Sequence, residues 1–314
     1  MEESGFRVGE LLFEGRIYDA DKIGTRIHAG TIEGNEGVEE AVLKVQLLPP
    51  SQEEAELMMR FTAQNKSQRI RTPIIYKHAP YSDEKGYGYT IMERVHGQPI
   101  FEGMAREEAM DNFVNFHSEL HALSLNEPLF NPNSYESDAR LATSLRLANW
   151  NNIARKKDTL THEKVILSGR HSVRMLLEGV NEMEFMHGHL TSRDILVTEK
   201  SDHVLMSHSF WGYRPRYYDT TFQIWAAIKE SRGDEIPTPE QAIAHAETWR
   251  RKFKESPHIA NDPEFSKYFA SNMRERALGA LIVDIENDCE GQDLEKLKKA
   301  FRALYDFYMR KSLP

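Results

Sequence analysis

The sequence predicts an α+β protein of two lobes, a small antiparallel sheet followed by a larger helical lobe. Three observations lead there. Turn-punctuated apolar alternation fills the first ninety-odd residues, and three- and four-residue apolar spacing takes over from about residue 106. The 314 residues are 40% hydrophobic and 28% charged, enough apolar side chains for a sizeable core. The net charge of −9 argues against a chain built to grip nucleic-acid phosphates. No run approaches the ~18 apolar residues of a membrane span, and MEESGFRVGE lacks a signal-peptide core, so a soluble, cytoplasmic protein with no membrane partner is expected. Cys289 is the one cysteine, which excludes an internal disulfide and a cysteine zinc cluster.

The elements follow in order. Residues 10–19, 24–32 and 38–48 read as strands separated by DADKIG and EGNEG. Pro49-Pro50 ends the third, and 51–64 reads as a helix with Leu57, Met58 and Phe61 on one face. Strands at 73–79 and 87–95, joined by SDEKG, complete a five-stranded antiparallel sheet. Met110, Phe113, Phe116, Leu120 and Leu123 define a helix over 106–124, and further helices are expected at 138–156 and 170–186. Two short strands around a polar loop fit GHLTSRDILVTEKSDHVLMSHSF, and from Tyr218 onward the pattern is helical, interrupted by GDEIPTPE and the loop around ESPHIANDPE. The expected division is a β-rich lobe over 1–95 and a helical lobe over 96–314.

Lys44 lies in AVLKVQL, a charge in an apolar strand, and a buried ammonium needs a partner. Glu54 shares a helical face with Leu57, Met58 and Phe61 and is the candidate. Two plainer readings compete: Lys44 sits on an edge or snorkels to water, and Ser51-x-x-Glu54 is a capping box. Arg16, Lys22 and Arg26 read as a solvated turn, and Arg69, Arg71 and Lys77 as an exposed rim. His187, His189, His203 and His208 fall within 22 residues, which suits a transition metal, although no third ligand has a position readable from the sequence.

The segment MHGHLTSRDILV (186–197) resembles the catalytic loop HGDLxxxNILV of the aminoglycoside phosphotransferase and choline kinase-like family, a branch of the protein-kinase-like fold. His187, Gly188, Leu190, Ile195, Leu196 and Val197 match as they stand. In the same order, VLKV resembles the strand that carries the nucleotide-binding lysine, EEAELMMRF the helix of its glutamate partner, and TIMERVHGQPI the hinge. FHSELHAL resembles the first long helix of the second lobe, and HVLMSHSFWGYRPRYYDTTFQIW the metal-binding strand and the helix behind it. The resemblance covers about residues 10–230. It implies a two-lobe protein-kinase-like fold and an ATP site at Lys44, Glu54, Glu93 and Val95, and Asp219 as the residue that fixes the loop.

The departures matter as much. His189 stands where the family has its catalytic aspartate, Asp194 where it has the magnesium-binding asparagine, and Ser207, twelve residues before Asp219, where it has the principal metal-binding aspartate. Asp202 lies in the preceding turn and is a poor substitute. Losing a general base costs ~10²–10⁴-fold in rate. Losing the carboxylate ligand is worse, because magnesium prefers anionic oxygen and serine offers a neutral hydroxyl. The resulting expectation is a pseudokinase, a binding or regulatory module for nucleotide and an unknown small molecule or protein. An active small-molecule O-phosphotransferase that holds magnesium through Asp194, with His189 as base, is the alternative. A histidine-based metal hydrolase stands third. Acceptor specificity is expected in 125–185 and in the C-terminal helices.

Overall fold

The computed structural model describes residues 5–16, 22–34, 37–123, 139–169, 173, 174, 176, 177 and 180–310. They form two compact units: one runs to Glu102 and includes Arg193–Phe210, and the other takes in Gly103–Ala122, the described part of 139–192, and Trp211 onward.

The first unit is built on an antiparallel sheet of β1 (Phe6–Arg16), β2 (Ile23–Gly34), β3 (Gly37–Gln46), β5 (Ile75–Ser82) and β6 (Tyr87–Glu93), in the order β1-β2-β3-β6-β5. The strand after helix α1 (Glu54–Gln64), β4 (Ile70–Arg71), belongs elsewhere. Alternation along β3 buries Ala41 and Leu43 with Phe6, Ile32 and Ile91 in one apolar cluster. Lys44 therefore points to the opposite face, in a central strand, opposite Ile27 of β2 and Thr90 of β6. That removes the edge-strand reading. A second, four-stranded sheet, β4-β10-β9-β7, holds the hairpin of β9 (Ile195–Thr198) and β10 (His203–Leu205) against β4 and β7 (Gly97–Pro99). These pairings place 193–210 in the β-rich unit.

The second unit is helical. Its helices are α2 (Arg106–Ala122), α3 (Ala139–Lys156), α4 (His162–Leu167), α5 (Asp219–Lys229), α6 (Pro239–Glu255), α7 (Phe265–Gly279), α8 (Ile285–Asp288) and α9 (Gly291–Arg310). Leu297, Ala300, Phe301, Leu304 and Tyr308 of α9 recur every three or four residues and are buried, as are Trp249 and Phe253 of α6 and Phe269 of α7. Each such side chain contributes roughly 1.5–3 kcal/mol on burial.

The helix expected over 170–186 stops short: residues 173, 174 and 176 are helical, but its end is not. Met183–Met186 is a strand, β8, paired antiparallel with β11 (Gly212–Pro215). Phe185 stacks on Trp211 with centroids 5.5 Å apart, and Glu184 pairs with Arg216 at 2.7 Å. Residues 170–172, 175, 178 and 179 of that expectation lie outside the described residues. The 17–19 end of the first expected strand also lies outside them.

Candidate functional site

In the β-rich unit, Lys44 Nζ donates to Glu54 Oε2. The other carboxylate oxygen accepts the main-chain N–H of His208 at 2.8 Å. Burial alone would raise the Glu54 pKa, but Lys44 and the His208 amide outweigh it and hold the carboxyl below its ordinary value. The pair is therefore ionised at neutral pH. The capping-box reading falls, because the N-cap position is Glu53 rather than Ser51 and no side-chain bond caps the helix start. Glu53 Oε1 instead accepts the Tyr81 N–H at 2.9 Å, which pins the start of α1 to β5. A recess of about 10 Å³ lined by Lys44, Glu54, His78 and Thr90 lies beside the pair, room for about one water.

His208 is fully buried, its ring edge-on to Phe61 at 5.5 Å and its Nε2 3.0 Å from the Leu205 carbonyl. The glutamate of α1 thus grips the chain one residue after Ser207. Asp194 lies at the same end of the β9–β10 hairpin, its carbonyl accepting the Met206 N–H at 2.8 Å. Lys44, Glu54, Ser207 and Asp194 consequently belong to one unit, and the Glu54 and Asp194 bonds tie three of the four to a single strand end. Glu93 is held differently: its carboxylate takes Arg71 in a fork at 2.6 and 2.8 Å and accepts the Ile74 N–H at 3.1 Å. Burial works against the ionised Glu93 carboxyl, but Arg71 keeps it below its ordinary range. Arg71 is accordingly no rim residue; Arg69 and Lys77 are exposed as expected. Asp202 also serves Arg71, at 3.5 Å.

The helical unit carries the loop from His187 to Ser192. Gly188 adopts φ +80°, a conformation that suits glycine. Asp219, at the start of α5 and 4% exposed, accepts the main-chain N–H groups of Leu190 and Gly188. Burial pushes its pKa up against the pull of His187, those amides and Arg214. Gln223 Oε1, one turn further along, takes the Ser192 N–H at 2.6 Å. His189 packs on Phe222 at 4.7 Å and edge-on to Trp225 at 5.9 Å. Burial first, then the charges of His187 and Arg276, push its pKa down to about 3. It is neutral at pH 7 and a weak base.

A family model described as "APH: Phosphotransferase enzyme family" matches residues 31–251. The chain belongs to this phosphotransferase family. No curated protein matches it. Among solved structures, a ternary complex of the aminoglycoside phosphotransferase APH(4)-Ia with ADP and hygromycin B has a TM-score of 0.59 at 15% identity, covering 100% of this chain and 97% of that one. An ethanolamine kinase of Plasmodium vivax gives 0.62 at 11% identity, with 98% and 85% covered. A choline kinase of Cryptosporidium parvum gives 0.58 at 11%, with 99% and 91% covered. The phosphotransferase chain thus has the protein-kinase-like fold that its loop motif implies.

Among the described residues no group of three or more His, Cys, Asp or Glu side chains is placed to hold a metal, which leaves the histidine-hydrolase reading without a site. No helix among them is long and apolar enough to cross a membrane. Sequence reasoning missed three arginines, Arg146, Arg214 and Arg276, that gather around Tyr218 and Phe222. It also missed the imidazoles of His117, His121 and His258, whose centroids lie 4.9–6.3 Å apart. Neither group has a motif. Only the register of β11 and the crossing of the helices assemble them.

Proposed function

We propose that this phosphotransferase-family chain is a pseudokinase whose β-rich unit binds a nucleotide and whose loop does not transfer its phosphoryl group. The observation that carries the reading is the Lys44–Glu54 pair, ionised and tied to the main chain beside Ser207. Glu54 fixes the Lys44 ammonium so that its remaining donors can meet phosphate oxygens. The main-chain N–H and C=O of Val95 enter no hydrogen bond among the described residues and suit the edge of a base. The Glu93 side chain belongs to Arg71 and its main-chain N–H to the Ile74 carbonyl, so Glu93 contributes no donor.

Magnesium fits poorly. The two positions that the family resemblance gives to magnesium hold Asp194 and Ser207, one carboxylate and one neutral hydroxyl, whereas magnesium in such sites is normally held by carboxylates together with the substrate's phosphates. His189, with a pKa near 3, is too weak a base to take a proton from an acceptor hydroxyl at neutral pH. The second reading, an active O-phosphotransferase, draws on Asp194 lying at the strand end next to Ser207. One assay separates them. ATP with magnesium should protect the purified protein against heat while no ADP accumulates; steady release of ADP would replace the pseudokinase with the enzyme.

A further inference from the structure

The surroundings of the loop in the helical unit are cationic in an uneven way. Three guanidinium groups collect there, and two have their counter-ions. Arg276 is buried against Asp284 at 2.9 Å, with Phe222 4.6 Å and Trp225 5.0 Å from its carbon. Arg146 spends Nε and Nη2 on Glu275 at 2.6 and 3.1 Å and lies 5.6 Å from the Tyr218 ring centre. Arg214, on β11, donates Nη1 to the Tyr213 carbonyl at 3.1 Å and lies 5.9 Å from the Tyr218 ring centre. Among the described residues it forms no ion pair.

The nearby carboxylates are sealed. Glu275 is 2% exposed and Asp219 4%. Glu275 is engaged by Arg146, and Asp219 by the loop amides. The cations are the open groups: the Arg146 side chain keeps 19% of its surface and Arg214 is half-buried. A ligand reaching this place meets guanidinium, not carboxylate. Burial first, and then the like charge of Arg146, push the Arg214 pKa down against the pull of Tyr218, Glu275 and Asp219.

We propose that Arg214, backed by Arg146, forms an oxyanion site beside the loop, and that the molecule held there presents a carboxylate or phosphoryl group. The assignment rests on reading 187–194 as the loop that faces the acceptor side. It sets this chain apart in charge from proteins whose ligands are amino sugars, choline or ethanolamine, all cations. A planar fork with free donors suits either oxyanion, and an amine in the same place would face the like charge of Arg214.

The test uses the full chain at constant ionic strength, with orthophosphate and citrate as anion probes and choline chloride as cation control. Both anions should raise the melting temperature saturably, and choline should not. Arg214→Gln should weaken the response about tenfold or more, as expected for loss of a charge-assisted fork. Arg214→Lys should retain an intermediate response. Lys44→Met should leave the anion response intact. The proposal is overturned if Arg214→Gln responds like the wild type, if choline stabilises where the anions do not, or if Lys44→Met abolishes the anion effect. Should Arg214→Gln not fold, wild-type affinity in Arg214→Lys overturns it instead. An intact phosphate response with no effect of ATP would sink the nucleotide reading alone.

Discussion

The neighbourhood of Lys44 and the neighbourhood of His189 hold their ionisable groups differently. In the β-rich unit, a central-strand lysine is paired with its glutamate, and a main-chain bond locks that glutamate to the segment after Ser207. In the helical unit, Gly188 adopts a positive φ and Asp219 accepts the loop amides, while His189 between them is a half-buried neutral imidazole. One region holds an ion pair, and the other holds a loop backbone around a neutral imidazole. Shape and proton chemistry are therefore separable: Asp219 and Gln223 fix the loop amides around His189, whose imidazole is a weak base.

The largest effect that would sharpen this contrast comes from Lys44. Lys44→Met should abolish nucleotide protection. It should also strand a Glu54 carboxyl that is 13% exposed, costing on the order of 3 kcal/mol, toward the low end for a buried pair because 26% of Lys44 is open to water. With Lys44 gone, burial is left as the main influence on Glu54 and its pKa rises. Adding Glu54→Gln should recover much of the stability in denaturant melts and none of the binding. Full nucleotide binding by folded Lys44→Met would break the comparison on its stronger side.

On the helical side, Asp219→Ala should leave the N–H groups of Gly188 and Leu190 buried without an acceptor, costing about 1–3 kcal/mol. Nucleotide affinity should move far less than with Lys44→Met. Chemical denaturation with a nucleotide titration on the same variant measures both. Equal losses in the two would contradict the separation.

A smaller, distributed effect is acid sensitivity. Burial pushes the pKa of His189 to about 3 and those of His245 and His258 to about 4, against an ordinary value near 6.5. Between pH 6.5 and 4 the unfolded chain binds protons that the folded chain refuses, so stability present above pH 6.5 is lost as pH falls through that window. His189→Phe should flatten the slope of stability against pH. An unchanged slope would mean that His189 is not buried as described.

Much of this was legible in the sequence, for physical reasons that differ by element. The five-stranded sheet could be read because period-two alternation and turn residues act locally, and α2 and α3 because apolar spacing does. The Lys44–Glu54 pair was legible because a charge in an apolar strand demands a partner. The strand at Met183–Met186 was missed because four residues hold too little periodicity, and its partner Gly212–Pro215 lies far along the chain. Arg71 looked like a rim residue because its fork to Glu93 spans 22 residues. The arginines around Tyr218 were invisible for the same cause. Their charges look solvated until the fold buries them.

The central claim is that phosphate recognition survives where the metal site does not, and the dependence of nucleotide affinity on magnesium tests it most directly. Calorimetric titration of ATP into wild-type protein, once with magnesium and once with EDTA, should give affinities within about tenfold of each other, ~1.4 kcal/mol. A greater loss on chelation, with ADP appearing in the magnesium sample, would contradict the account and show Asp194 and Ser207 holding a working metal.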